Sequence, residues 1–119
     1  MVAAVDEASQ IRIDPERDRV RVRCAGALRD DAAVQLIEDC AGLIDRGFTR
    51  MILDMSQATD ITPAVVSAIA AVDRRARVRG CRFSVVPGTG DAAATLRRAG
   101  LLGQLRLEGP AETFLDWSR

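Results

Sequence analysis

The chain contains no histidine, no lysine, no tyrosine and no asparagine. Each absence closes off some chemistry. Without histidine, the commonest general base, metal ligand and physiological pH switch are gone. Without lysine, there is neither a Walker-type phosphate lysine nor a Schiff-base nucleophile. Aromatic residues make up only 3% of the chain, too few for a nucleic-acid stacking platform. The 17 basic residues, all arginine, are balanced by 17 acidic ones, whereas a nucleic-acid binder usually carries a basic excess. No stretch approaches the ~18 uninterrupted apolar residues of a membrane span. The opening "MVAAVDEASQ" carries acids where a signal peptide would carry an apolar core. The expectation is a soluble cytoplasmic protein that neither inserts into a membrane nor binds nucleic acid. Arginine in place of lysine is compatible with a GC-rich bacterial coding sequence.

Three cysteines are present, Cys24, Cys40 and Cys81, with no CxxC pair and no histidine to complete a zinc site. Their odd number does not fit a secreted disulfide framework. Cys24 falls on the apolar side of a strand, Cys40 on the apolar face of a helix, and Cys81 in phase with Phe83 and Val85. All three read as small buried hydrophobes rather than a redox pair.

What is there suffices for one domain. Apolar residues are 48% of 119, enough for a core built of Ala, Val, Leu and Ile. Residues 1–9 read as a flexible tail before a domain at 10–119. Ile11 and Ile13, then Val20, Val22 and Cys24, alternate with charged residues, predicting two strands paired as a hairpin across residues 15–18. Ala33, Leu36, Ile37, Cys40, Leu43 and Ile44 recur at helical spacing, and Gly47 follows as a stop. "RMILDM" (residues 50–55) is a nearly continuous apolar run, predicting a central strand buried on both faces. A second helix is expected over residues 62–79, with Val65, Ile69, Val72 and Ala76 as its stripe and Gly80 as its stop. "CRFSVV", "AAATLRRAG" and "LRLEG" predict a strand, a short helix and a closing strand. The last ten residues predict a terminal helix anchored by Phe114 and Trp117. Two strands followed by helix–strand alternation predict an α/β domain with a mixed four- to five-stranded sheet and about four helices, its later strands parallel.

The stretch "DITPAVV" (residues 60–66) joins the central strand to the second helix. Such a junction is where many α/β proteins place a ligand or phosphate. Here it holds no glycine, lysine or serine. Thr62 is a good N-cap and Pro63 the favoured first helical residue, so the stretch starts a helix well. Two other candidates read as structural. Gly88, Gly90 and Ala93 give a nominal G-x-G-x-x-A, but late in the chain and with Asp91 where a phosphate would sit; a turn with an aspartate cap fits better than a nucleotide site. Asp54 and Asp60 lack the surrounding polar groups that acid–base work needs, so Asp54 reads as a turn cap and Asp60 as solvated. The arginine run at residues 74–82 reads as a solvated helix end. No catalysis and no cofactor are expected.

Four segments together resemble the STAS domain, the fold of anti-sigma-factor antagonists and sulphate-transporter tails. They are "GAL" (residues 26–28), "ILDMS" (52–56), "RARVRGCRFSVV" (75–86) and "LRRAGLLGQLRL" (96–107). They stand where that family has its Gly-Glu-Leu turn, its Leu-Asp-Leu-Ser strand end, its arginine-rich helix end with the following strand, and its last helix and closing strand. The family's Phe-Ile-Asp-Ser-Ser-Gly-Leu stands where this chain has residues 60–66, and its second serine is phosphorylated by a partner kinase. Ile61 keeps the isoleucine, Thr62 stands for the aspartate, Pro63 for the first serine, Ala64 for the phosphoacceptor and Val65 for the glycine. Ala64 has no hydroxyl, so the resemblance implies a variant without the switch. It implies a non-catalytic module that regulates transcription by binding an anti-sigma factor, a kinase-like ATP-binding protein. The implied partner-binding residues are Gly26, Leu28, Ser56, Asp60, Thr62, Pro63, Ala64, Val65 and Val66. A homodimer is left open. The alternative is a small cytoplasmic STAS subunit of an ABC-type lipid transporter of the Mla kind, whose partner is an ATPase.

Overall fold

The computed structural model describes residues 9–87, 90–100 and 106–107. Two antiparallel strands open the fold, β1 (Ser9–Glu16) and β2 (Arg19–Leu28). The helix α1 (Asp30–Asp45), strand β3 (Arg50–Ile61), helix α2 (Pro63–Arg79), strand β4 (Arg82–Val86), helix α3 (Asp91–Arg98) and strand β5 (Arg106–Leu107) follow. The five strands form one sheet in sequential order, β1-β2-β3-β4-β5, with β2 through β5 parallel. This is the expected mixed α/β sheet, with three helices among the described residues. The expected tail lies outside them except for Ser9, which already pairs with Gly26. The expected terminal helix lies outside them altogether.

Every parallel crossover steps one place the same way along the sheet. Right-handed connections therefore set all the crossover helices on one face. The packing agrees: Leu36 of α1, Val65 and Ile69 of α2 and Leu96 of α3 join Val20, Val22, Met51, Leu53 and Val85 in one buried cluster. Cys24, Cys40 and Cys81 are buried free thiols, all in this cluster. Burial, helped by the Asp54 charge, pushes the Cys24 thiol up to about 12, and burial pushes Cys40 and Cys81 up as well. None is a reactive thiolate at neutral pH.

Four details depart from the sequence reading. Pro15 is a residue of β1, paired with Val20, and the hairpin turns at Arg17 and Asp18. A proline is tolerated there because β1 is an edge strand. Ile37, placed on the buried stripe by spacing, is 41% exposed, because it sits at the margin of the helix's apolar arc. β3 runs six residues beyond the apolar run, to Ile61, because β2 stays paired to it as far as Leu28. The arginine run is less free than a solvated helix end: Arg75 pairs with Asp45 at 2.6 Å and Arg77 with Asp73 at 2.9 Å. The second helix stops as expected. Gly80 takes φ +74°, and the Cys81 N–H reaches back to the Ala76 carbonyl.

Candidate functional site at the carboxyl ends of β2 and β3

The extended half of β3 builds the site. Its register with β2 slips twice, between Arg23 and Ala25 and again between Gly26 and Ala27, each time adding one residue to β3. A bulge leaves an amide without its ladder partner. At the first slip the Ser56 N–H donates to Asp54 Oδ1 at 2.9 Å. Asp54, 8% exposed, therefore caps a bulge inside the strand rather than a turn beyond it. Past Met55 only Ala58 and Ile61 are buried, while Ser56, Gln57, Thr59 and Asp60 face solvent. Gly26, opposite Ala58, holds φ +85°, which a side chain would strain.

The two strands end side by side. The Thr62 N–H donates to the Leu28 carbonyl at 3.2 Å, and each strand then turns into a helix. Thr62 occupies the N-cap position of α2, as expected, but its side chain does not cap it. Its hydroxyl instead donates to Asp30 Oδ1, 3.0 Å away in the first turn of α1, tying the two helix starts together. The Thr62 carbonyl accepts from the Val65 and Val66 amides at 3.0 and 3.2 Å. The Asp60 carboxylate is exposed and accepts the Ile61 N–H at 2.9 Å. Asp54 and Asp60 are thus each engaged by backbone of their own strand.

The surface divides clearly. Ser56, Asp60 and Pro63 are exposed, and Gly26, Thr62, Ala64 and Val66 are half-buried. Leu28 and Val65, 2% and 0% exposed, support this surface from beneath and do not line it. What faces outward is a small apolar lip, Pro63, Ala64 and Val66, flanked by Asp30 and Asp60. It offers shape and apolar contact, bordered by two exposed carboxylates. Among the described residues no group of three or more acidic or cysteine side chains is placed to hold a metal ion. The Thr62–Asp30 link was not foreseen from the sequence. Its signal is the position of both residues, each opening a helix after one of two adjacent parallel strands. At the other candidate, Gly90 is the capping residue of α3 and Asp91 its first residue, so the aspartate is not the cap; Gly88 lies outside the described residues.

Known proteins match this architecture. The chain resembles an anti-sigma-factor antagonist from Mycobacterium paratuberculosis with a TM-score of 0.77 and 15% identity, over 92% of this chain and 94% of that one. The RsbS protein of Moorella thermoacetica gives 0.75 and 21%, over 90% and 92%. The Bacillus cell-fate determinant SpoIIAA in its phosphorylated form gives 0.74 and 18%, over 92% and 100%. At such identities the likeness is one of fold. No curated protein sequence matches the chain. No described helix is long and apolar enough to cross a membrane. A family model described as "Mlab, STAS domain" matches residues 9–108, nearly the whole fold, and the chain belongs to this STAS family.

Proposed function

We propose that this chain is a non-catalytic cytoplasmic binding module that acts as an anti-sigma-factor antagonist, holding a kinase-like anti-sigma factor and so releasing a sigma factor for transcription. The observation that carries the reading is the apolar lip where β2 and β3 end, exposed at Pro63 and half-buried at Ala64 and Val66. Ser56, Asp60, Thr62 and Gly26 border it, and Leu28 and Val65 hold it from below. Two anti-sigma-factor antagonists of the same fold, SpoIIAA and the Mycobacterium paratuberculosis protein, support it. Ala64 stands where the family carries its phosphoacceptor, so a partner bound here is not released by phosphorylation at that position.

A second reading has its own support, since the matching family model is named for Mlab. In that reading the same lip docks the ATPase of an ABC-type lipid transporter. One experiment separates the two. The tagged protein is used to capture partners from an extract of its own organism, beside a Val66→Arg variant. Val66 is half-buried and packs on the edge of the core cluster, so the variant is used only where its far-UV circular dichroism and melting transition match the parent. Capture of an anti-sigma factor, lost in Val66→Arg, is the expected result. Capture of transporter ATPase and permease subunits moves the assignment to the second reading. Equal capture by both forms removes the lip from either role.

A further inference from the structure

We infer that two copies of this chain join edge to edge through β1, antiparallel about a twofold axis at Ile13, so that their two five-stranded sheets become one. β1 closes one end of the sheet, and among the described residues no strand or loop backbone pairs with its outer side. The hairpin fixes which groups face outward. Its turn is two residues, Arg17 and Asp18, so Glu16 and Arg19 flank it as a hydrogen-bonded pair. By alternation Asp14 with Arg21, Arg12 with Arg23 and Gln10 with Ala25 are bonded pairs as well. Ile11, Ile13 and Pro15 fall in the pairs between, so their backbone groups point away from β2. Pro15 suits that place, since a proline has no N–H to leave unpaired. Ile11 and Ile13 keep theirs, and an edge with open N–H and C=O groups is a template for a further strand.

Charge selects a second copy as that strand. Ile11 and Ile13 lie on the helix side of β1, opposite the buried Cys24 and Val22, and Ile13 is still 39% exposed. Arg12 and Asp14 lie on the other face. An axis at Ile13 sets Arg12 of each copy opposite Asp14 of the other, and Gln10 opposite Glu16. Slipping one strand by two residues, the smallest step that keeps the outward groups paired, sets Arg12 against Arg12 or Asp14 against Asp14. Within its own chain Arg12 stands opposite Arg23, a like charge, so an acid across the axis is favourable. Asp14 already meets Arg23 at 3.4 Å, but these side chains are 37% and 42% exposed, and a carboxylate has acceptor sites for a second guanidinium. The backbone adds its own bonds. The two Ile13 residues exchange N–H and C=O, and each Ile11 N–H donates to the Pro15 carbonyl of the other copy. An eight-residue strand from each side is well below the ~20–30 residues of a standard interface, so the dimer is a weak, concentration-dependent one. It uses the sheet's edge and not the lip at the strand ends, and neither reading depends on the other.

Sedimentation velocity on the full chain, from low-micromolar to near-millimolar concentration, should show a monomer passing to a dimer. Arg12→Asp and Asp14→Arg each set like charges across the axis, and each alone should weaken association by about tenfold or more. An equimolar mixture of the two variants regains both opposite-charge pairs and should dimerise about as well as the parent. Ile13→Pro removes the two donors at the axis while leaving the β2 ladder intact, and should abolish the dimer. It decides the matter if either charge variant loses its far-UV circular dichroism. The inference is overturned if the full chain stays monomeric throughout, if folded Ile13→Pro dimerises like the parent, or if the mixture associates no better than its components. Slow hydrogen exchange at the Ile11 and Ile13 amides that is independent of concentration also overturns it, since the edge is then covered within the chain.

Discussion

Thr62 shows how a single side chain can hold the position its type suggests and do another job. Threonine before a proline is a strong local sign of a helix start, and α2 does begin there. The hydroxyl, however, bridges to Asp30, 32 residues earlier, a distance that only the pairing of β2 with β3 collapses. Local caps are legible in a sequence because donor and acceptor are a few residues apart; this bond is not. Thr62→Val is expected to lose about 0.5–1.5 kcal/mol, the usual net worth of one such bond, with Thr62→Ser close to the parent. Urea denaturation of the three forms checks this. If Thr62→Val equals the parent, the hydroxyl is solvent-bonded and the helix starts are not tied.

β3 illustrates what was legible in an element and what was not. Its first half announces itself as an apolar run buried on both faces, and Met51, Ile52, Leu53 and Met55 are each 0% exposed. Its second half, "SQATDI", has neither apolar continuity nor two-residue alternation, because the register slips spread the buried Ala58 and Ile61 three residues apart. Bulges leave no pattern that a period-two reading detects. The sequence therefore shows the helix-starting residues of the candidate surface and not the bulged strand end beside them. Asp54 is the side chain that the bulge depends on. Asp54→Ala leaves the Ser56 N–H without its acceptor and is expected to cost about 1–3 kcal/mol. Asp54→Asn retains an acceptor oxygen and should cost less. Hydrogen exchange at Ser56 is the local readout: it should quicken in Asp54→Ala well beyond the change at Val20 on the neighbouring strand.

At the scale of the whole molecule, composition and thiol burial combine into a pH profile. Cys24 titrates near 12 in the folded chain, and Cys40 and Cys81 are raised too, against an ordinary thiol value of 9.0. The folded state thus holds these protons more tightly than the unfolded state. That contribution is fully present below pH 9 and is lost as pH rises from there toward 12. Lysine and tyrosine normally dominate this window, and the chain has neither. Alkaline destabilisation therefore belongs mainly to the three thiols, at up to about 1.4 kcal/mol per pH unit for each. Denaturation midpoints measured from pH 7 to 11 should stay level and then fall. Cys24→Ala should fall less steeply; a parallel curve would mean that Cys24 is already ionisable in the native fold.

The sequential strand order also bears on how the chain is made. A ribosome releases the N-terminus first, and here each strand's neighbour is the one that emerged just before it. The hairpin of β1 and β2 can close as soon as residues 9–28 are out, since it needs only a short loop. Each later helix–strand unit then meets a finished edge, with no need to wait for distant sequence or to open an existing pair. Folding can keep pace with synthesis, and a nascent chain whose Ile61 has cleared the ribosome would already present β1, β2 and β3 as a smaller version of the final sheet.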